Sequence, residues 1–310
     1  GGTPTLLTAS QIEESISAVG DSWELADDIE ITIEANPETL NKEFLIDLRS
    51  AGINRISIGM QSAVNHVLAV LERNHTPNKA VEMAKLAREV GFRYISLDLI
   101  YGTPGETEAD WQESLLAVVN SGVDHVSAYS LIVEPGTRLA KRVNRGEIIE
   151  NSDDLLADRY IQAETVLTEA GFYNYETSNW AISKESECRH NLAYWHSQNW
   201  WGIGPGAHSH IGGVRWWNYK HPRRYNELVR SNKSPAQAGE ILTTEDIRLE
   251  QIMLLLRLST GLPLNILNGT EYDRVKLLVD EGLGYLENNR LILTLAGRLL
   301  ADGIATRILG

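Results

Sequence analysis

With 310 residues, 43% of them hydrophobic and 23% charged, the chain is long enough to bury a sizeable core and ordinary in composition for a globular protein. Its 28 basic and 42 acidic residues give a net charge of −14, which repels a phosphate backbone and speaks against nucleic acid as a partner. No apolar run approaches the roughly 18 residues needed to span a bilayer, and a lone cysteine, Cys188, excludes an internal disulfide framework and any cysteine-only metal site.

The chain opens on Gly1-Gly2-Thr3-Pro4, which reads as the tight turn after a strand. No basic and apolar leader stands there, so a cytoplasmic setting is expected, and the missing strand predicts a shortened form of a longer parent. From residue 28 to about 180, short β-rich runs alternate with longer helical ones. The predicted strands are Asp28–Glu34, Arg55–Gln61, Tyr94–Tyr101, His125–Val133 and Tyr173–Thr177. Helical periodicity covers Lys42–Ser50, Lys79–Val90, Trp111–Asn120 and Asp153–Ala170, with Gly52, Gly91, Gly122 and Gly171 as C-terminal stops. Alternating βα units imply an α/β fold on a parallel sheet.

Whether that sheet is open or closed turns on where the polar residues gather. Glu34, Gln61, Asp98, Glu134 and Glu176 each stand at a strand-to-loop junction of an otherwise apolar run. Functional side chains on the C-terminal ends of many strands are the mark of a barrel mouth. Carboxylates also cap the helices that follow, a bland role that suits some of these positions.

Further along, Trp180, Trp195, Trp200, Trp201, Trp216 and Trp217 crowd a glycine-rich stretch, six of the chain's eight tryptophans. The Trp200-Trp201 and Trp216-Trp217 pairs are expected in a core. Then come an amphipathic helix at Thr243–Leu258, N-capped by Thr243 or Thr244, a helix at Glu271–Glu281, a hairpin at Leu286–Leu293 turning on Asn288-Asn289, and a last helix at Ala296–Ile308. This order predicts a small winged-helix-like α+β domain at 221–310 after a barrel at 1–220. The short basic clusters, Lys141-Arg142 with Arg145 and His221 with Arg223-Arg224, read as solvated helix ends.

Taken in order, Gly1-Gly2-Thr3-Pro4, Glu34-Ala35-Asn36-Pro37, Gly59-Met60-Gln61-Ser62, Arg73 and Asp98 to Gly105 resemble the S-adenosylmethionine-binding elements of radical-SAM proteins related to coproporphyrinogen dehydrogenase. The resemblance runs over nearly the whole chain and implies a (β/α) radical-SAM barrel, here partial and without its first strand. It implies that Gly1, Gly2 and Thr3 hold the methionine ammonium, and that Glu34 accepts from ribose hydroxyls or a cationic group. Gln61 and Arg73 are implied at the methionyl carboxylate or ribose, and Asp98 at the ribose or a second substrate molecule. By itself Arg73 reads as a surface residue paired with Glu72 or Asp98. In the superfamily three cysteines upstream of the Gly-Gly-Thr-Pro loop hold a [4Fe-4S] cluster; they are absent here, so the cluster is expected in the parent protein only.

A second constellation, Cys188-Arg189-His190-Asn191-Leu192-Ala193-Tyr194-Trp195 followed by Gly202 to Ser209, resembles the HNxxYW signature and glycine loop of the haem-chaperone branch. It implies haem binding with His190 as a candidate iron ligand, and transfer of the haem to an acceptor protein. On a helix His190 and Tyr194 would share a face. Otherwise His190 is a hydrogen-bonded histidine near a domain seam; His208 and His210 are weaker candidates, and Cys188 reads as a passive buried thiol. An oxygen-independent coproporphyrinogen III oxidase, decarboxylating its substrate by radical chemistry, is the alternative, so whether the chain is an enzyme stays open. A plain barrel hydrolase is disfavoured, because no nucleophile–histidine pair or metal-ligand cluster stands at the strand ends outside the set already assigned.

Overall fold

The computed structural model describes residues 3–310, so the roles expected of Gly1 and Gly2 lie outside the described residues. It divides into two compact units, the first running to Glu187 and the second from Cys188 to Gly310. In the first unit the chain forms α1 (Ala9–Ser22), β1 (Thr32–Ala35), α2 (Lys42–Ser50), β2 (Arg55–Gln61), α3 (Asn65–Val70), α4 (Pro77–Val90), β3 (Tyr94–Tyr101), α5 (Glu108–Val119), β4 (His125–Ser130), α6 (Arg138–Asn144), α7 (Asp153–Glu169), β5 (Tyr173–Glu176) and β6 (Asn179–Ala181).

One six-stranded sheet of order β1-β2-β3-β4-β6-β5 carries this unit, with parallel pairing from β1 through β4. Strand side chains alternate between faces. One face is apolar and buried: Ile33, Ile58, Leu97, Leu99 and Val126 pack where α4 and α5 cover the sheet. The other face is polar. Register sets Glu34 beside Ser57, Ser57 beside Ser96, and Ser96 beside His125. The four expected glycine stops all take a positive φ, between +77° at Gly122 and +100° at Gly52, where a side chain is disfavoured.

Three departures from the expected elements have local causes. Strand pairing starts at Thr32 rather than Asp28, because the Asn54 side chain takes the backbone's place there, donating to the Ile29 carbonyl at 2.7 Å and accepting from the Ile31 amide at 2.9 Å. The fourth strand ends at Ser130 rather than Val133, after which the Leu131 amide bonds the Tyr101 carbonyl at 2.8 Å. The sheet is mixed rather than wholly parallel, since β6 lies antiparallel between β4 and β5.

The second unit holds α8 (Arg189–Trp195), β7 (His208–Ile211), β8 (Val214–Asn218), α9 (Pro222–Arg230), β9 (Ala236–Ile241), α10 (Thr244–Leu255), β10 (Leu262–Pro263), α11 (Gly269–Asp280), β11 (Gly284–Glu287), β12 (Arg290–Leu293), α12 (Leu295–Leu299) and α13 (Ala301–Leu309). The division falls at residues 187/188, not at the expected 220/221. The reason is that the tryptophan-rich stretch pairs forward in the chain, β7 with β8 and β8 with β9. Thr243 caps α10 in a capping box with Asp246. Leu256, Val275, Leu278, Leu291 and Ile304 build a separate core beneath the β11–β12 hairpin, which turns on Asn288 and Asn289 at φ +48° and +59°.

Candidate functional site

At the C-terminal ends of β1, β2 and β3, a cavity of about 160 Å³ is lined by Thr3, Glu34, Asn36, Ser57, Gly59, Gln61, Arg73 and Asp98. All the predicted cofactor residues among the described ones, Thr3, Glu34, Gln61, Arg73 and Asp98, meet there.

Each is placed by a local device. Glu34 stands on the exposed face of β1. Beyond that strand the Asn36 side chain accepts from the Glu38 amide at 3.1 Å, and Thr5 bonds Thr39 at 2.6 Å, fastening the segment that carries Thr3 to the same turn. The pairing of β2 with β3 shifts register between Gly59 and Gln61, and Gln61 takes the left-handed conformation at φ +65°. Such a conformation costs a non-glycine residue about 1 kcal/mol or more and persists where neighbours enforce it. Buried His75 is one such neighbour, donating from Nε2 to the Met60 carbonyl at 2.9 Å. Gly59 leaves the space that Gln61 uses, because a Cβ there would lie 2.8 Å from Gln61 Nε2.

Arg73 follows the C-terminal cap of α3. Its amide bonds the Leu68 carbonyl at 2.9 Å while Glu72 sits at φ +54°, the paired pattern that ends many helices. Its guanidinium makes no ion pair among the described residues. Glu72, one of the two partners a surface role would give it, faces Arg138 at 3.9 Å instead.

Asp98 is the electrostatic centre of the cavity. Burial pushes its carboxyl up to about 6, and the nearby charge of Glu34 adds to the rise. Hydroxyls of Ser57, Ser127 and Ser96 pull the other way; Ser57 Oγ lies 2.7 and 2.9 Å from the two carboxylate oxygens. Ser96 also bonds His125 Nδ1 at 2.8 Å, and His125 Nε2 meets the Tyr175 hydroxyl at 2.7 Å. Burial, helped by the charge of Arg55, holds His125 down at about 3, so the ring is neutral. A neutral ring has one N–H; Nδ1–H donating to Ser96 and the Tyr175 O–H donating to Nε2 satisfies both nitrogens.

In the second unit His190 is exposed in the first turn of α8. Its ring meets Tyr194 edge-on at 4.9 Å, so the expected shared helix face is present. The aromatic contacts continue from Tyr194 to Trp200 at 4.8 Å and from Trp200 to His210 at 4.9 Å. His210 is buried with neither ring nitrogen bonded among the described residues, while His208 is exposed and stacks on Trp217 at 5.8 Å. The tryptophan pairs are not core as expected: Trp201 is 58% exposed, its edge on half-buried Trp216. Cys188 is buried.

Residues 1–118 match the radical SAM superfamily. Over 310 residues the chain is 46% identical to heme chaperone HemW of Mycobacterium tuberculosis, spanning 100% of this chain and 79% of that protein. It is 32% identical over 319 residues to heme chaperone HemW of Bacillus subtilis, spanning 100% and 84%. The chain belongs to the HemW family. In fold it is similar to coproporphyrinogen III oxidase (HemN) from Escherichia coli, a radical SAM enzyme, with a TM-score of 0.84 at 23% identity over 99% of this chain and 76% of that one.

HemW membership sits on a cavity richer than the strand ends alone announced. Ser57, Ser96, Ser127 and His125, which surround Asp98 or reach it through a hydroxyl, went unassigned in the sequence. Their signal was present: in Arg55–Gln61, Tyr94–Tyr101 and His125–Ser130 polar residues alternate with apolar ones, whereas a parallel strand covered on both faces is apolar throughout. Among the described residues no group of three or more His, Cys, Asp or Glu is arranged to hold a metal ion, and no helix is long and apolar enough to cross a membrane.

Proposed function

We propose that this chain works as a haem chaperone, taking up haem with His190 as an iron ligand and passing it to an acceptor protein, and that the strand-end cavity holds S-adenosyl-L-methionine. The observation that carries the reading is the convergence of Thr3, Glu34, Gln61, Arg73 and Asp98, which come from separate elements, on one cavity in a chain related over its full length to HemW.

The donor set suits the cofactor. Arg73 offers a forked cation to the methionyl carboxylate. Glu34 and ionised Asp98 offer acceptors for the ribose diol or the ammonium, and the Gln61 amide can both donate and accept. When bound, the cofactor supplies the sulfonium on which the radical chemistry of this superfamily is built. The [4Fe-4S] cluster of the superfamily has no ligand set in these residues, because Cys188 is the one cysteine and it is buried. The work of these residues is therefore to bind and orient.

For the haem, exposed His190 presents an imidazole on α8 beside the Tyr194 ring, an iron donor next to a flat apolar surface. A cytoplasmic setting belongs to the same reading. The oxidase alternative shares the fold, and no feature of the cavity favours it. A hemin titration followed at the Soret band tests the proposal on the chain and on His190→Ala. A saturable, shifted band that weakens in the variant is expected. A band unchanged by the substitution, or lost together with the folded state, would overturn His190 as the ligand.

A further inference from the structure

Behind Asp98 a row of buried polar side chains runs along the polar face of the sheet. Register sets Ser96 of β3 beside His125 of β4, and Tyr175 of β5 ends the row. Ser96, His125 and Tyr175 are each 2% exposed. The contacts measure 2.7 Å from the Tyr175 hydroxyl to His125 Nε2, 2.8 Å from His125 Nδ1 to Ser96 Oγ, and 3.4 Å from Ser96 Oγ to Asp98 Oδ1.

Asp98 sets the direction of every proton in this row. An ionised carboxylate only accepts, so Ser96 commits its one O–H to Asp98. Ser96 Oγ then accepts from His125, which places the single proton of the neutral imidazole on Nδ1. Nε2 is left as an acceptor and takes the Tyr175 O–H. Were the row reversed, the Ser96 O–H would turn to Nδ1 and the buried carboxylate would lose a donor, a costly loss where water does not reach. Other groups also face Asp98. Glu34 on β1 repels its charge, Ser57 on β2 and Ser127 on β4 add their own donors, and Arg73 lines the same cavity. Tyr129 on β4, with Glu176 of β5 acting on it, is pushed up to about 12 and stays neutral. At the far side of the row, Arg55 is the charge that acts on His125.

We propose that Tyr175 and His125 are positioning residues of the cofactor site that act through Ser96: their hydrogen-bond chain turns the Ser96 hydroxyl onto Asp98 and fixes that carboxylate as an acceptor facing the cavity. The inference deepens the preceding reading and rests on it only for the identity of the cofactor.

Carbon-13 NMR of the full chain follows the Asp98 carboxyl through its titration, the signal being identified by its absence in Asp98→Asn. The midpoint, about 6 in the wild type, should rise by about one pH unit in Ser96→Ala and in His125→Leu, the loss of one hydrogen bond to a charged group. The double variant should rise no further than Ser96→Ala, because His125 has no other route to the carboxylate. His125→Asn, whose amide N–H can stand where Nδ1–H does, should return the midpoint to near the wild-type value. Should His125→Leu fail to fold, Tyr175→Phe takes its place in the cycle. Midpoints indifferent to these changes, rises that add in the double variant, or no rescue by asparagine overturn the proposal. Equilibrium dialysis of S-adenosyl-L-methionine gives the second readout. At pH 6.5 a midpoint raised from 6 to 7 cuts the ionised fraction from about three-quarters to one-quarter, so affinity should fall about threefold in His125→Leu. At pH 8.5 it should match the wild type. Equal weakening at both pH values marks a merely structural lesion and also overturns the proposal. The NMR titration needs no cofactor, so absence of S-adenosyl-L-methionine binding sinks the preceding reading while the cycle still decides this one.

Discussion

Replacing Asp98 by asparagine should stabilise the fold and weaken the site together. Burial raises the carboxyl from its ordinary 3.8 to about 6 in the folded chain. A gap of that size corresponds to about 3 kcal/mol by which the fold disfavours ionised Asp98. The sign follows from the raised value: the folded state prefers the protonated form. The penalty is therefore absent below about pH 4, grows between pH 4 and 6 and is complete above 6. An asparagine side chain carries no charge and escapes it. The value of about 6 is already net of the opposing hydrogen bonds, among them Ser57 Oγ at 2.7 and 2.9 Å from the carboxylate oxygens, so these take nothing further from the gain. Asp98→Asn is thus expected to gain about 2–3 kcal/mol at pH 7.5 and nothing at pH 4. Urea unfolding followed by tryptophan fluorescence at both pH values gives the difference from the midpoint shift. Destabilisation at pH 7.5, or an equal gain at both pH values, would refute the reasoning. Weaker cofactor binding should accompany the gain, the trade common where a site holds a strained or desolvated group.

Gly59→Ala puts a Cβ against the flexible Gln61 amide, so stability should fall by less than about 1 kcal/mol while cofactor affinity drops about fivefold, the worth of one hydrogen bond, by equilibrium dialysis. Gly202→Ala is the contrasting case: its Cβ would lie 2.0 Å from the His208 carbonyl oxygen, which is backbone and cannot swing away. A loss of about 2 kcal/mol or more is expected in a thermal melt, and a wild-type melting temperature would count against the close approach. Tyr175→Phe leaves buried His125 Nε2 without its partner and should cost about 1–3 kcal/mol in chemical denaturation.

The elements with long periodic patterns and glycine stops were legible. So were the carboxylates of Glu34 and Asp98, because each breaks an apolar run at its C-terminal end. What stayed hidden depended on shorter or longer-range signals. Strand β6 spans only Asn179–Ala181, too short to show a period, and its place between β4 and β5 is a tertiary pairing. Helix α1 carried a readable start in Thr8 and Gln11, which form a reciprocal cap, but it buries little beyond Ile12 and so shows a weak apolar stripe. The division at residues 187/188 was hidden because β7 and β8 find partners in later segments that their own sequences do not name.

The most direct test of the central claim, that the strand-end cavity is the cofactor site, is equilibrium dialysis of S-adenosyl-L-methionine against the chain and against Arg73→Gln. Arg73 is exposed and makes no ion pair among the described residues, so the substitution should leave the melting temperature unchanged. The expected result is binding weakened about 10- to 100-fold, the loss of a charged hydrogen-bonding partner for the carboxylate. Equal affinity in a variant with an unaltered melt would contradict the assignment of this cavity.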